Sequence, residues 1–235
     1  MPASVTRESR GELAIVRLDR PPANALNPEV LEELGAVRAE LAADPPGAVV
    51  VTGREGFFSA GVDLKLVPTW TPDEQRAMVS GINSLVTGWY CFPRPVVAAV
   101  TGHAIAGGMV IALCADYRVA ATEGKLGLTE LRAGVPYPVG AIHLVRAELA
   151  APAARALALR AHLIEPEEGL RLGLVDELTS PADVLERACE VASEMAAYGG
   201  KSYARTKQEL RGEVLQRIEA AVAEGDPLLD SWLDG

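Results

Sequence analysis

What this chain of 235 residues has little of narrows its chemistry first. Cysteine occurs three times, at Cys91, Cys114 and Cys189, each among apolar neighbours and with no CxxC pair. That odd, scattered set reads as reduced core thiols and argues against a disulfide framework or a cysteine-based metal or redox site. Histidine also occurs three times, at His103, His143 and His162, too scattered for a zinc motif, so no metal is expected. No GxSxG is present, which removes the serine-hydrolase elbow and leaves Ser59 as a loop hydrogen-bonder. Apolar runs long enough to span a bilayer are missing, as are polar low-complexity tracts and long like-charge blocks. The first residues, MPASVTRESRGE, hold no apolar signal core, and a cytoplasmic location is expected.

Positive charge is also in short supply. Twenty-two Lys and Arg face 32 Asp and Glu, a formal net charge of −10, which argues against nucleic acid or an anionic membrane as partner. An anionic small ligand needs only a local cluster of positive charge and stays open. With 49% hydrophobic and 23% charged residues, the chain can bury one sizeable core, with room for a small appendage.

Strand and helix signals alternate along it. ELAIVRLD (12–19) alternates like a strand and stops at Pro21-Pro22. Asn27 then offers an N-cap and Pro28 a first helical residue, followed by Val30, Leu31, Leu34, Val37 and Leu41 at helical spacing. GAVVVTG (47–53) and PVVAAVTG (95–102) are apolar on both faces, as buried parallel strands are, and PDEQRAMVSGINSLVTGWYCF between them is helical by pattern. GFFSAGVDLK (56–65) reads as a glycine-bearing loop, and ADYRVAATEGKLGLTE as a short strand and a loop. From about Pro138 the signals are almost all helical, and PADVLERACEVASEMAAYGG and KSYARTKQELRGEVLQRIEAAVAEG form two amphipathic helices. The class is α/β, with a core over 1–180 and a helical tail over 181–235 whose apolar stripes need a partner surface.

Two glycine loops follow the buried strands, and the second along the chain opens a helix that carries no acid or base. In TGHAIAGGMVIALCADYR (101–118), Gly107-Gly108 opens an all-apolar helix; in FSAGVDL, Gly61 frees the backbone before Val62. Unpaired N–H groups at a helix start bind negative charge, and glycine lets a ligand approach them. Two such groups converging on one oxygen would form an oxyanion hole; close helix–strand packing is the structural alternative.

NALN (24–27), FFSAGVDLK (57–65), AAVTGHAIAGGMVIALCADYRVA (98–120) and LGLTELRAGVPYPVGA (126–141) together resemble the crotonase, or enoyl-CoA hydratase/isomerase, superfamily. The resemblance implies a spiral of strand-strand-helix turns, with a helical tail that builds a homotrimer or a pair of trimers. It implies that the N–H groups of Val62 and Gly107 hold a thioester oxygen and that Glu130, in GLTE, is the catalytic carboxylate. Coenzyme A enters as part of an acyl-CoA substrate rather than as a cofactor. Its contacts would come from Ala25 and Leu26 of NALN, from Ala60 and Val62, and from Lys65 and Lys207 at its phosphates. Hydratases of this superfamily carry a second glutamate three residues after the oxyanion glycine, where this chain has Val110. One carboxylate suffices to take a proton from C2 of a 3-enoyl thioester and return it at C4, so the pattern is most similar to the single-glutamate Δ3,Δ2-enoyl-CoA isomerases.

Other readings compete. Gly102-x-Ala104-x-x-Gly107 is a degraded dinucleotide fingerprint, without the acidic residue that would hold a ribose. A hydratase, another acyl-CoA reaction such as hydrolysis or decarboxylation, and a non-catalytic acyl-CoA binder all share the scaffold. Pro136 and Pro138 stiffen the turn beside Glu130 and bear on whether it reaches the cavity. Asp63 and Asp116 fit structural roles better than chemical ones.

Overall fold

The computed structural model describes residues 3–229. Its main sheet has six strands: β1 (Val5–Arg10), β2 (Leu13–Leu18), β3 (Ala48–Thr52), β5 (Val96–Val100), β7 (Tyr117–Ala121) and β9 (Glu177–Thr179), side by side in that order. The β1–β2 pair is antiparallel and every later pair parallel. A smaller parallel sheet holds β4 (Gly56–Ser59), β6 (Gly102–Ile105) and β8 (Leu126–Gly127). Helices α1 (Pro28–Ala43), α2 (Pro72–Tyr90), α3 (Gly107–Leu113) and α4 (Val139–Glu148) are interleaved with these strands. The chain therefore runs β3-β4-α2, β5-β6-α3, β7-β8-α4, each turn placing one strand in each sheet. This is the expected spiral of strand-strand-helix turns.

Alternation along the strands shows why the sheet needs cover on both sides. Val49, Val51, Val96, Ala98 and Val100 face a core shared with α1 to α4, while Ala48, Val50, Val97 and Ala99 face a second core. That second core is closed by Val184, Ala188, Val191 and Ala192 of α7 (Val184–Ala196), so one tail stripe finds its partner in the chain's own sheet. Between β8 and α7 lie α5 (Ala151–Arg160) and α6 (Pro166–Leu172). Helix α8 (Gly200–Glu224) runs beside α4 and α2. Asn27 caps α1 as its sequence position foretold, accepting from the Val30 amide at 3.0 Å. β1, β4, β6 and β9 differ from the sequence reading, which saw no strand in them. β4, β6 and β9 are short and β1 is polar and exposed after Val5, so they carry little apolar signal of their own.

α8 packs Ile218, Val214 and Val222 against the main core and is also pinned by a buried ionic cluster. The Asp116 carboxylate meets Lys207 Nζ at 2.8 Å and Arg211 Nη1 at 2.9 Å, and it accepts from the Val96 amide at 2.8 Å. Asp116 thus has the structural role expected of it. Lys207 is 5% exposed and also donates to the Arg94 carbonyl. The expected contact of Lys207 with a coenzyme phosphate is corrected accordingly: within this chain its charge is spent on Asp116.

Removing Asp116 would leave the buried Lys207 without a counter-charge and Arg211 with only Glu148, at 3.5 Å. Asp116→Ala is expected to cost about 3–5 kcal/mol of folding stability, read as a lower urea-unfolding midpoint. An unchanged midpoint would mean that water already reaches the cluster.

Candidate active site

The ends of the three small-sheet strands converge on one cavity. β4 ends at Ser59 and leads to Val62, β6 ends at Ile105 and leads to Gly107, and β8 ends at Gly127 and leads to Glu130. Neighbouring parallel strands lie only about 5 Å apart, so loops leaving the same edge are brought side by side. Val62, Gly107 and Glu130 all line a cavity of about 320 Å³.

Two close approaches set the backbone there. Gly61 has φ +78°, and a Cβ on it would sit 2.8 Å from the Ile105 carbonyl oxygen and 3.0 Å from the Gly107 nitrogen. A Cβ on Gly108 would lie 2.2 Å from the Ser59 carbonyl oxygen. Gly108 therefore serves packing, as the structural alternative held. Gly107 does not: its missing Cβ would meet only the flexible Leu26 Cδ1 at 3.0 Å, and it would lie 3.9 Å from the Val62 nitrogen. Between them, Ala106 adopts φ +50°, a conformation that costs a non-glycine residue about 1–3 kcal/mol. Its own N–H and C=O are paired, with the Gly127 carbonyl and the Val110 amide. The amides of Val62 and Gly107 find no acceptor among the described residues. Two free donors therefore border one space, the arrangement an oxyanion requires.

Glu130 completes the set. It opens a 3-10 turn, Glu130–Ala133, and is 8% exposed, with Oε2 buried and unpartnered. Burial pushes its carboxyl from the ordinary 4.5 up to about 7, against weaker opposing pulls from nearby backbone amides and the Tyr137 hydroxyl. No ion pair with Arg132 forms; Arg132 is exposed at the cavity's edge. Glu130 is the only carboxylate among the described residues that line this space, and Val110 lines it too, where a second would stand. The two prolines beside Glu130 have not displaced it: Pro136 and Pro138 are themselves part of the wall.

The other expected residues fall into place unevenly. Leu26 forms a parallel bridge to Val62, its amide bonded to the Gly61 carbonyl at 2.7 Å, so NALN holds the oxyanion loop in position. Ala60 lines the cavity, while the Ala25 carbonyl is taken by Arg20 at 3.1 Å. Asp63 pairs with Arg20 at 3.0 Å, a structural role. Lys65 is exposed three residues beyond Val62 and forms no ion pair among the described residues. His103 lies against the Phe57 ring at 4.8 Å and is not part of the wall. Sequence reasoning missed Tyr137, which sits in VPYPVG beside the glutamate, and Leu228, whose place in the cavity wall no local pattern announces.

Comparison with known proteins agrees with this fold. The model of the enoyl-CoA hydratase/isomerase family matches residues 8–231. A putative enoyl-CoA hydratase of Thermus thermophilus is 37% identical over 206 residues, covering 86% of this chain and 81% of its own. The crystal structure of a probable enoyl-CoA hydratase of Mycobacterium tuberculosis superposes with a TM-score of 0.88 at 32% identity, covering 92% of each chain. Human mitochondrial Δ3,Δ2-enoyl-CoA isomerase superposes with a TM-score of 0.89 at 28% identity, covering 98% of this chain and 91% of that one.

The buried glutamate makes stability depend on pH. Between 4.5 and about 7 the folded chain holds a proton that the unfolded chain has released, so stability falls as pH rises through that window and is level above it. The loss is on the order of 3 kcal/mol. Glu130→Gln is expected to unfold at higher urea than wild type at about pH 8 and at the same urea at about pH 4. Matching midpoints at the higher pH would show a solvated carboxylate.

Proposed function

Because the chain belongs to the enoyl-CoA hydratase/isomerase family, we propose that it shifts a double bond in an acyl-CoA thioester, from Δ3 to Δ2, through a single glutamate. The observation that carries this reading is the unpaired Glu130 carboxylate lining the same cavity as the free amides of Val62 and Gly107, with Val110 in place of a second acid.

Ionised Glu130 takes the proton from C2 of a 3-enoyl thioester. The electron pair moves onto the thioester oxygen, forming a dienolate that the two amides hold. Glu130, now protonated, returns the proton at C4, and the double bond is left between C2 and C3. One group must act first as base and then as acid, which a carboxyl poised at about 7 does near neutral pH. One well-placed amide donor contributes roughly 3–4 kcal/mol to holding the developing charge. Coenzyme A would pass along Ala60 and the Leu26–Val62 bridge, with Lys65 facing its phosphates. The apolar residues left exposed on the tail, Tyr198 and Leu210, support assembly into a homotrimer or homohexamer.

Hydration is the second reading, favoured by the hydratase names of the relatives. Turnover of a 3-enoyl-CoA and a 2-enoyl-CoA by wild type and Glu130→Gln separates the two. Isomerisation of the 3-enoyl ester is expected, with kcat/KM rising through about pH 7 and falling by about 10²–10⁴-fold in the variant. Faster addition of water to the 2-enoyl ester would make the protein a hydratase. Affinity without turnover of either ester would make it a binder.

A further inference from the structure

Beyond α8 the chain returns to the cavity. Gly225, at φ +116°, ends the helix, and the buried residues that follow are Asp226 and Leu228. Asp226 Oδ2 accepts from the Val139 amide at 3.0 Å and from Asn83 Nδ2 at 2.8 Å; its Oδ1 accepts from the Leu228 amide at 3.0 Å. Asn83 Oδ1 accepts from the Gly140 amide at 2.9 Å. One carboxylate and one carboxamide thus satisfy the first two amides of α4, which have no partner inside their own helix. Three of these four bonds clasp α2, α4 and the segment at Asp226 together.

The clasp fixes where Leu228 goes. Leu228 is 2% exposed and lines the cavity together with Ile82, which precedes Asn83, and Ala141, which follows Gly140. Apart from Thr129, Glu130 and Arg132, the side chains of that wall are apolar, and at about 320 Å³ the cavity is small for a ligand site. None of this is needed to hold the oxyanion donors or Glu130, which the small sheet positions.

Resting on the acyl-CoA reading above, we propose that Leu228 is a specificity-determining residue. Held by the Asp226–Asn83 clasp, it closes the cavity against longer acyl chains, so the segment after α8 sets the acyl length accepted. Each methylene that finds apolar wall raises affinity about fourfold, and one that meets Leu228 gains nothing.

Calorimetric titration with saturated acyl-CoAs from butyryl to palmitoyl reads this directly, because these esters bind without reacting. For wild type, affinity is expected to climb with chain length and then stop. Leu228→Ala is expected to move that limit about two carbons longer, with about a tenfold gain for the newly admitted chains. Leu228→Trp is expected to move it shorter, and Asp226→Ala, with its fold checked by circular dichroism, to blur it. A limit common to all four proteins would overturn the inference and leave the acyl-CoA reading standing, as would a lower kcat with an unchanged limit. Absence of affinity for every acyl-CoA would overturn both.

Discussion

The site depends on one constraint: β4, β6 and the turns that leave them lie so close that their backbones touch where side chains would normally stand. Gly61 against the Ile105 carbonyl and Gly108 against the Ser59 carbonyl leave no room for a Cβ. With that contact made, the loops after β4 and β6 cannot separate, and the free amides of Val62 and Gly107 border the same space. The third strand, β8, adds Glu130 from the same edge. The geometry of the candidate site is a property of backbone register, which explains why the segments that carry it are poor in reactive side chains.

The main sheet makes that register possible. Its inner strands β2, β3, β5 and β7 are buried on both faces, under α1 to α4 on one side and α7 on the other. Each strand of the small sheet follows directly from a main-sheet strand, β4 from β3, β6 from β5 and β8 from β7. A rigid, apolar layer therefore sets the spacing of a softer, glycine-rich one. Strain such as that at Ala106 persists only where the surroundings over-determine it, and this layering supplies the surroundings.

How much of this could be read in advance follows from how local each signal is. The α1 start at Asn27 and Pro28, and the runs that became β3 and β5, are spelled out within a few residues. The strands β4 and β6 were read as loop because glycine and polar residues dilute their pattern; only pairing with each other makes them strands. Val62, Gly107 and Glu130 were nameable from motif order, while the burial of Glu130 was not, since burial is decided by how separate segments pack and not by the residues beside it. Lys207 shows the same limit from the other side. On an amphipathic helix it reads as a surface cation, and its partner Asp116 lies 91 positions away.

Asp116 and Glu130, both largely hidden from water, are treated in opposite ways, and the contrast bears on function. Asp116 is surrounded by Lys207, Arg211 and a backbone amide, so its charge is matched at the moment of folding. Glu130, equally hidden from water, has no cation against it and one oxygen with no partner. A fold able to neutralise the first could have neutralised the second, and an arginine stands nearby at the cavity edge. Pairing Glu130 with that arginine would stabilise the charged form and drop its pKa well below neutrality, leaving a carboxylate too weak a base to take a proton from carbon. The instability kept at Glu130 is what preserves its ability to exchange a proton near neutral pH.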